Sequence, residues 1–160
     1  MPIGYREPMQ RVKRTARIPA PPSEVFAYLA DLDNLAEWQS GIVSAERVDS
    51  GPMRVGSSAN VTRELMGQRL AVPLTVTDHE PPSRLGIASE VSGVRAAAML
   101  ELTPADDGTA TDIGFAMEIR GSMLTAFMEP MIAGAAKGDI DASLQRLAAR
   151  FGEAGHGSQQ

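Results

Sequence analysis

The chain has no cysteine, few aromatics and no long apolar run, and each shortage removes a class of protein. Without cysteine there can be no disulfide and no thiolate-held metal. No stretch approaches the ~20 apolar residues of a transmembrane helix, so membrane insertion is not expected. Residues Met1 to Gln10 contain no apolar core of a secretory signal, which makes a cytoplasmic protein the default expectation. Aromatics are only 4% of residues, so Ala, Val, Leu and Met must fill the interior.

Positive charge is also in short supply. Lys and Arg number 15 against 20 Asp and Glu, for a formal net charge of −5. A nucleic-acid surface needs a dense basic face to neutralise phosphates, so no nucleic-acid partner is expected. The run Arg11-Val-Lys13-Arg14-Thr-Ala-Arg17 is a local exception. It alternates with Val12, Ala16 and Ile18, and so reads as the wet face of a strand.

Catalytic signatures are equally sparse. There are two histidines, His79 and His156, and the second lies near the end of the chain, so no metal site is expected. Gly51 to Ser58 has the glycine spacing of a phosphate loop, but it lacks the lysine and the following helix. Neither a Gly-x-Ser-x-Gly elbow nor a dinucleotide fingerprint is present, and no cofactor is expected.

What is present is an ordinary globular mixture, 43% hydrophobic and 22% charged, in 160 residues. That length suits one domain, in which folding buries roughly 70% of the surface of the unfolded chain. Residues 12–19 alternate polar and apolar, predicting a strand. Ser23 is a candidate N-cap for a short helix carrying Val25, Phe26 and Leu29. A second short helix is expected from Asp33, carrying Leu35 and Trp38. Period-two patterning then predicts strands near 42–49, 57–65, 69–79, 84–92, 95–103 and 109–120, separated by turn residues such as Asp106-Asp107-Gly108. Connections this short favour an antiparallel meander.

From Met123 the period becomes helical, with Leu124, Phe127, Met128 and Met131 on one face and Ile140, Leu144, Leu147 and Phe151 continuing the stripe. Pro130 should kink this helix or mark its first turn. Gly152 suits its end, which would leave residues 1–152 as one domain and 153–160 as a disordered tail. Seven strands with one apolar face each need a cover, and the terminal helix is the only large apolar element available. The expected class is therefore α+β: a curved seven-stranded antiparallel sheet wrapped around a long C-terminal helix, with two short helices after the first strand.

Side-chain parity assigns the inner face. It holds Val61, Leu74, Val76, Ile87, Leu100, Phe115 and Met117. Small residues on the helix, including Gly134 and Gly138, permit either close packing on the sheet or a cavity against it. Arg63 shares parity with Ala59 and Val61, so it either points inward to a partner or escapes to solvent at a strand end. His79, beside Glu80 and Pro81, is either a surface-loop histidine or a general acid or base at a cavity mouth. Trp38 suits a core plug or a pocket wall equally, and its indole N–H requires a partner.

The stretch Ile18-Pro-Ala-Pro-Pro-Ser-Glu-Val-Phe-Ala-Tyr-Leu-Ala-Asp31 resembles the first strand-to-helix junction of the START-like (SRPBCC, helix-grip) superfamily. Asp33 to Trp38 is similar to its second short helix. Asp78 to Leu85 and Leu102 to Thr109 are similar to its later turns. The resemblance covers residues 9–151 and is nearest to the polyketide cyclase/dehydrase and lipid-transport branch. It implies a deep cavity between sheet and helix, and so favours a cavity over close packing. Across the superfamily it implies activities from polyketide cyclisation to lipid carriage.

Two functions follow as expectations. One is binding of a small hydrophobic, polyketide-like or lipid-like ligand by Trp38, Phe127, Met128, Met131 and the inner-face residues above. The other is cyclase or dehydratase catalysis, with Arg63 as an oxyanion clamp and His79 as acid or base. A homodimer stays open.

Overall fold

In a computed structural model, residues 9–65, 67–91, 94–121 and 129–158 are described. Strand β1 (Met9–Ile18) leads into helix α1 (Pro22–Ala30), then through a 3₁₀ turn (Leu32–Asn34) into helix α2 (Leu35–Trp38). Strands β2 (Ile42–Arg47), β3 (Ser58–Leu65), β4 (Gln68–Glu80), β5 (Arg84–Val91), β6 (Val94–Ala105) and β7 (Ala110–Gly121) follow, and helix α3 (Glu129–Ser158) closes the chain. The sheet order is β1-β7-β6-β5-β4-β3-β2, with every neighbour antiparallel. Strands β2 to β7 form the expected meander, and β1 pairs with the last of them. Among the described residues no helix is long and apolar enough to cross a membrane.

Local chemistry explains most boundaries. Helix α1 starts two residues earlier than a Ser23 cap implies, because Pro22 occupies its first turn and the residue before it, Pro21, provides no side-chain cap. Proline suits that place, since its missing N–H would lack a helical partner there anyway. The Asp31 side chain accepts a hydrogen bond from the Asp33 N–H and so turns the chain toward α2. Asp106, Asp107 and Gly108 all take positive φ in the β6–β7 turn. Pro130 is the second residue of the described part of α3, and the residues before Glu129, which decide whether it marks the first turn, lie outside the described residues.

Two expectations about α3 are corrected. Its helical backbone passes through Gly152, the expected end, and runs to Ser158. Gly138, expected to face the sheet, is exposed. It lies two residues before Ile140, roughly 200° around the helix from the buried stripe. That stripe is Ile140, Leu144 and Leu147, with Phe151 half-buried.

The inner face of the sheet is apolar, as parity requires. Val61, Val72, Leu74, Val76, Leu85, Ile87, Ala98, Leu100, Leu102, Ile113, Phe115 and Met117 belong to one buried cluster with Trp38 and the α3 stripe. The basic run of β1 lies on its wet side, except that Arg14 turns inward. Arg11 pairs with Glu118, Arg17 with Asp112, and Arg14 with Asp141 on α3.

A bulge in β4 breaks the simple alternation. Register shifts between Val76 and Asp78, so that Asp78 faces Gly86 and His79 faces Leu85. An extra residue reverses parity beyond it. His79, with odd numbering, therefore joins the inward side that Val72, Leu74 and Val76 occupy with even numbering. Gly86 makes the bulge possible. A Cβ there would lie 2.6 Å from both Asp78 Oδ1 and Thr77 Oγ1, and 3.1 Å from Asp78 Cβ. Gly86→Ala is expected to destabilise the fold by about 1–3 kcal/mol. Adding Thr77→Ala, which removes one obstructing atom, should recover part of the loss in urea unfolding.

Candidate functional site

The expected site residues divide into three groups. Val61, Leu74, Val76, Ile87, Leu100, Phe115, Met117 and Trp38 are brought together in the buried cluster. Phe127 and Met128 lie outside the described residues. Met131 is on α3, but its side chain lies outside them too. Arg63 and His79 both face inward but stand apart. Arg63 on β3 faces Leu70 near the start of β4, while His79 is near the end of that strand. Nine residues of extended strand span roughly 30 Å, so one small substrate cannot touch both.

Trp38 ends α2 and is 1% exposed. Its ring meets Phe115 of β7 edge-on, with centroids 6.2 Å apart. Its indole nitrogen and the Oε1 of neighbouring Gln39 are buried with no hydrogen-bond partner among the described residues. A buried donor left unpaired costs about 1–3 kcal/mol, so an N–H in this apolar interior is poised to donate to an oxygen. Gln39 was not evident in the sequence, because nothing in its local pattern marks the residue after a short helix as buried.

Arg63 is 24% exposed in its side chain, so neither simple expectation for it holds alone: it points inward and still reaches water. Its Nη2 donates to Asp139 Oδ2 on α3 at 3.2 Å. One helical turn on, the buried Ser143 hydroxyl donates to the Asp139 carbonyl at 2.6 Å and accepts from the Ser40 N–H at 2.8 Å. Arg63 and Ser143 together tie the middle of α3 to β3 and to the α2–β2 turn. Gly41, in that turn, holds φ +89° directly beneath the Arg63–Asp139 pair. Asp139 was missed for a plain reason. Its partner is 76 residues away, and helical periodicity says nothing about which charge a wet-edge carboxylate will meet.

His79 is half-buried, with its ring 5.5 Å from that of Phe26. It lines an open cleft of about 510 Å³ with Phe26, Ala30, Asp31, Arg47 and Met53, at the α1 end of the sheet. A second hollow, about 570 Å³, lies on the outer face around Gly114, Thr15 and Glu101. Phe26 and Ala30 of the first and Ile113 of the second belong to the buried cluster, but neither hollow is lined by Trp38, Phe115 or the α3 stripe.

Beside the His79 cleft, Asp49 closes the β2–β3 connection. It accepts from Arg47 Nε and Nη2 at 2.9 and 3.2 Å, and from the Ser58 N–H at 3.2 Å. The Arg47 guanidinium holds the Asp49 carboxyl well below the usual carboxylate range, helped by that backbone N–H and opposed by desolvation. A depressed folded-state value means that the stabilisation is complete above the ordinary value of 3.8 and is lost as pH falls below it. Urea midpoints of wild type and Asp49→Asn should therefore differ most above pH ~5 and converge in strong acid.

Comparison with known proteins agrees with this architecture. Residues 9–152 match the family model for polyketide cyclase/dehydrase and lipid transport, and the chain belongs to that family. An uncharacterised protein of Mycobacterium tuberculosis is 26% identical over 147 residues, covering 90% of this chain and 100% of that protein. A START superfamily protein from Mycobacterium smegmatis superposes with a TM-score of 0.76 at 12% identity, covering 89% of this chain and 97% of its own. The Zhui aromatase/cyclase from a Streptomyces species gives a TM-score of 0.74 at 13% identity, covering 89% and 93%. At those identities the two structures establish the START-like helix-grip fold and nothing finer.

Proposed function

We propose that the chain binds a small hydrophobic molecule, polyketide-like or lipid-like, between the inner face of the sheet and α3. The observation that carries this reading is the buried, unpartnered Trp38 N–H set among apolar residues of the inner face. An apolar site with a few polar groups to orient its occupant is the usual design for such ligands. Membership of a family described by both polyketide chemistry and lipid transport supports the same ligand class. The cysteine-free chain suits a reducing cytoplasm.

The test is native mass spectrometry of the purified protein, followed by titration with polycyclic aromatics and fatty acids. Retained or titratable one-to-one binding, weakened by Phe115→Leu or Trp38→Phe in protein that remains folded, is the expected result. Absence of binding across both ligand sets would overturn the reading.

The second reading is a cyclase or dehydratase acting in the same place. Its support is Arg63 on the inner face, where a guanidinium can stabilise a developing oxyanion. His79, at the opposite end of β4, would have to act on a different part of an extended substrate.

A further inference from the structure

Arg63 is charged, inward-facing and poorly satisfied. A guanidinium carries five N–H donors. Only Nη2 is used, in a single contact of 3.2 Å to one oxygen of Asp139, and no other partner exists among the described residues. Paired arginine and carboxylate groups usually meet through two shorter parallel bonds. The contact is also only part-sheltered, with 24% of the Arg63 side chain and 33% of the Asp139 side chain exposed. Other carboxylates close by in sequence are already engaged: Asp141 with Arg14, and Glu64 with Arg69.

The surroundings of Arg63 are amphipathic. Leu70, its cross-strand neighbour on β4, shares the inner face by parity with Val72 and Leu74, yet is 39% exposed. Val61, two residues earlier on β3, is fully buried. A wet cation therefore sits beside an uncovered apolar side chain, and the surface becomes dry and apolar within one pleat.

Resting on the ligand-binding reading above, we propose that Arg63 selects an anionic amphiphile, a hydrophobic molecule ending in a carboxylate. Asp139 holds the guanidinium until that carboxylate takes its place. The ligand carboxylate engages the Nε and Nη donors that Asp139 leaves unused, while its apolar portion follows Leu70 and Val61 inward. Asp139 is thus both a placeholder and a competitor.

The opposite signs of two substitutions separate this from a purely structural tie. The probes are 1-pyrenedecanoic acid and its methyl ester, titrated by pyrene fluorescence at pH 7.5. Wild type is expected to bind the acid about tenfold more tightly than the ester, the scale of one charge-assisted contact. Arg63→Gln should remove that preference by weakening the acid to the level of the ester, while Arg63→Lys should keep part of it. Asp139→Asn should tighten acid binding about threefold, with no change for the ester. Raising the salt concentration should narrow the preference, because the pair is partly exposed.

Equal binding of acid and ester by folded wild type would overturn the proposal while leaving the hydrophobic site standing. So would equal weakening of both probes by Arg63→Gln and Asp139→Asn, which is what a structural tie predicts. If neither probe binds wild type, this proposal fails, and the ligand-binding reading fails with it when the polycyclic aromatics and fatty acids above do not bind either. Far-ultraviolet circular dichroism of each variant confirms that folded proteins are being compared.

Discussion

Phe115→Ala is expected to lower the unfolding free energy by about 3–5 kcal/mol. Phe115 lies mid-strand on β7, 1% exposed, with its ring against that of Trp38. Truncation removes a large apolar surface and leaves a hole that a rigid sheet on one side and a short helix on the other cannot collapse into. Trp38→Ala should cost a similar amount. Because the rings touch, the two losses should not add: the double variant should be less damaged than their sum by about 0.5–1.5 kcal/mol. Urea unfolding with an unchanged m-value is the measurement. Strict additivity would mean that the two rings stabilise the fold independently.

Leu147→Ala should cost about 2–5 kcal/mol, the next-largest loss. Leu147 is fully buried on α3, four residues after Ser143 and seven after Ile140, and so lies in the middle of the face that seals the core. Gln145, two residues away, is exposed on the same helix. Gln145→Ala should change stability by no more than about 0.5 kcal/mol. The contrast tests whether burial of one stripe, rather than helix propensity, holds α3 in place. Alanine is the better helix former at both sites, so propensity alone predicts no loss at either.

The architecture was legible in the sequence because its signals are local. A period of two in the strands and 3.6 in α3 is set by backbone geometry and repeats within each element. Leu74, Val76, Ile87, Leu100 and Phe115 could be assigned to one face without knowing what they would touch, and they lie in one buried cluster. Turn residues separated the strands for the same reason: the need for positive φ at Asp107 and Gly108 is a property of a few consecutive residues.

The polar groups are a different matter. Alternation places Arg63 inward, but only the path of α3 decides that Asp139 stands within reach. Alternation places His79 outward; the bulge at Val76–Asp78, which Gly86 accommodates from the next strand, turns it in. It is packing, too, that leaves the Trp38 N–H without a partner, since propensity carries no account of what surrounds a buried atom. The sequence by itself determined the sheet, the long helix and the apolar faces between them, because those depend on spacing along the chain. Which charges meet, which side of the bulge a histidine takes and which donor is left unpaired were decided by the tertiary structure. Each depends on contacts between segments that the sequence keeps far apart.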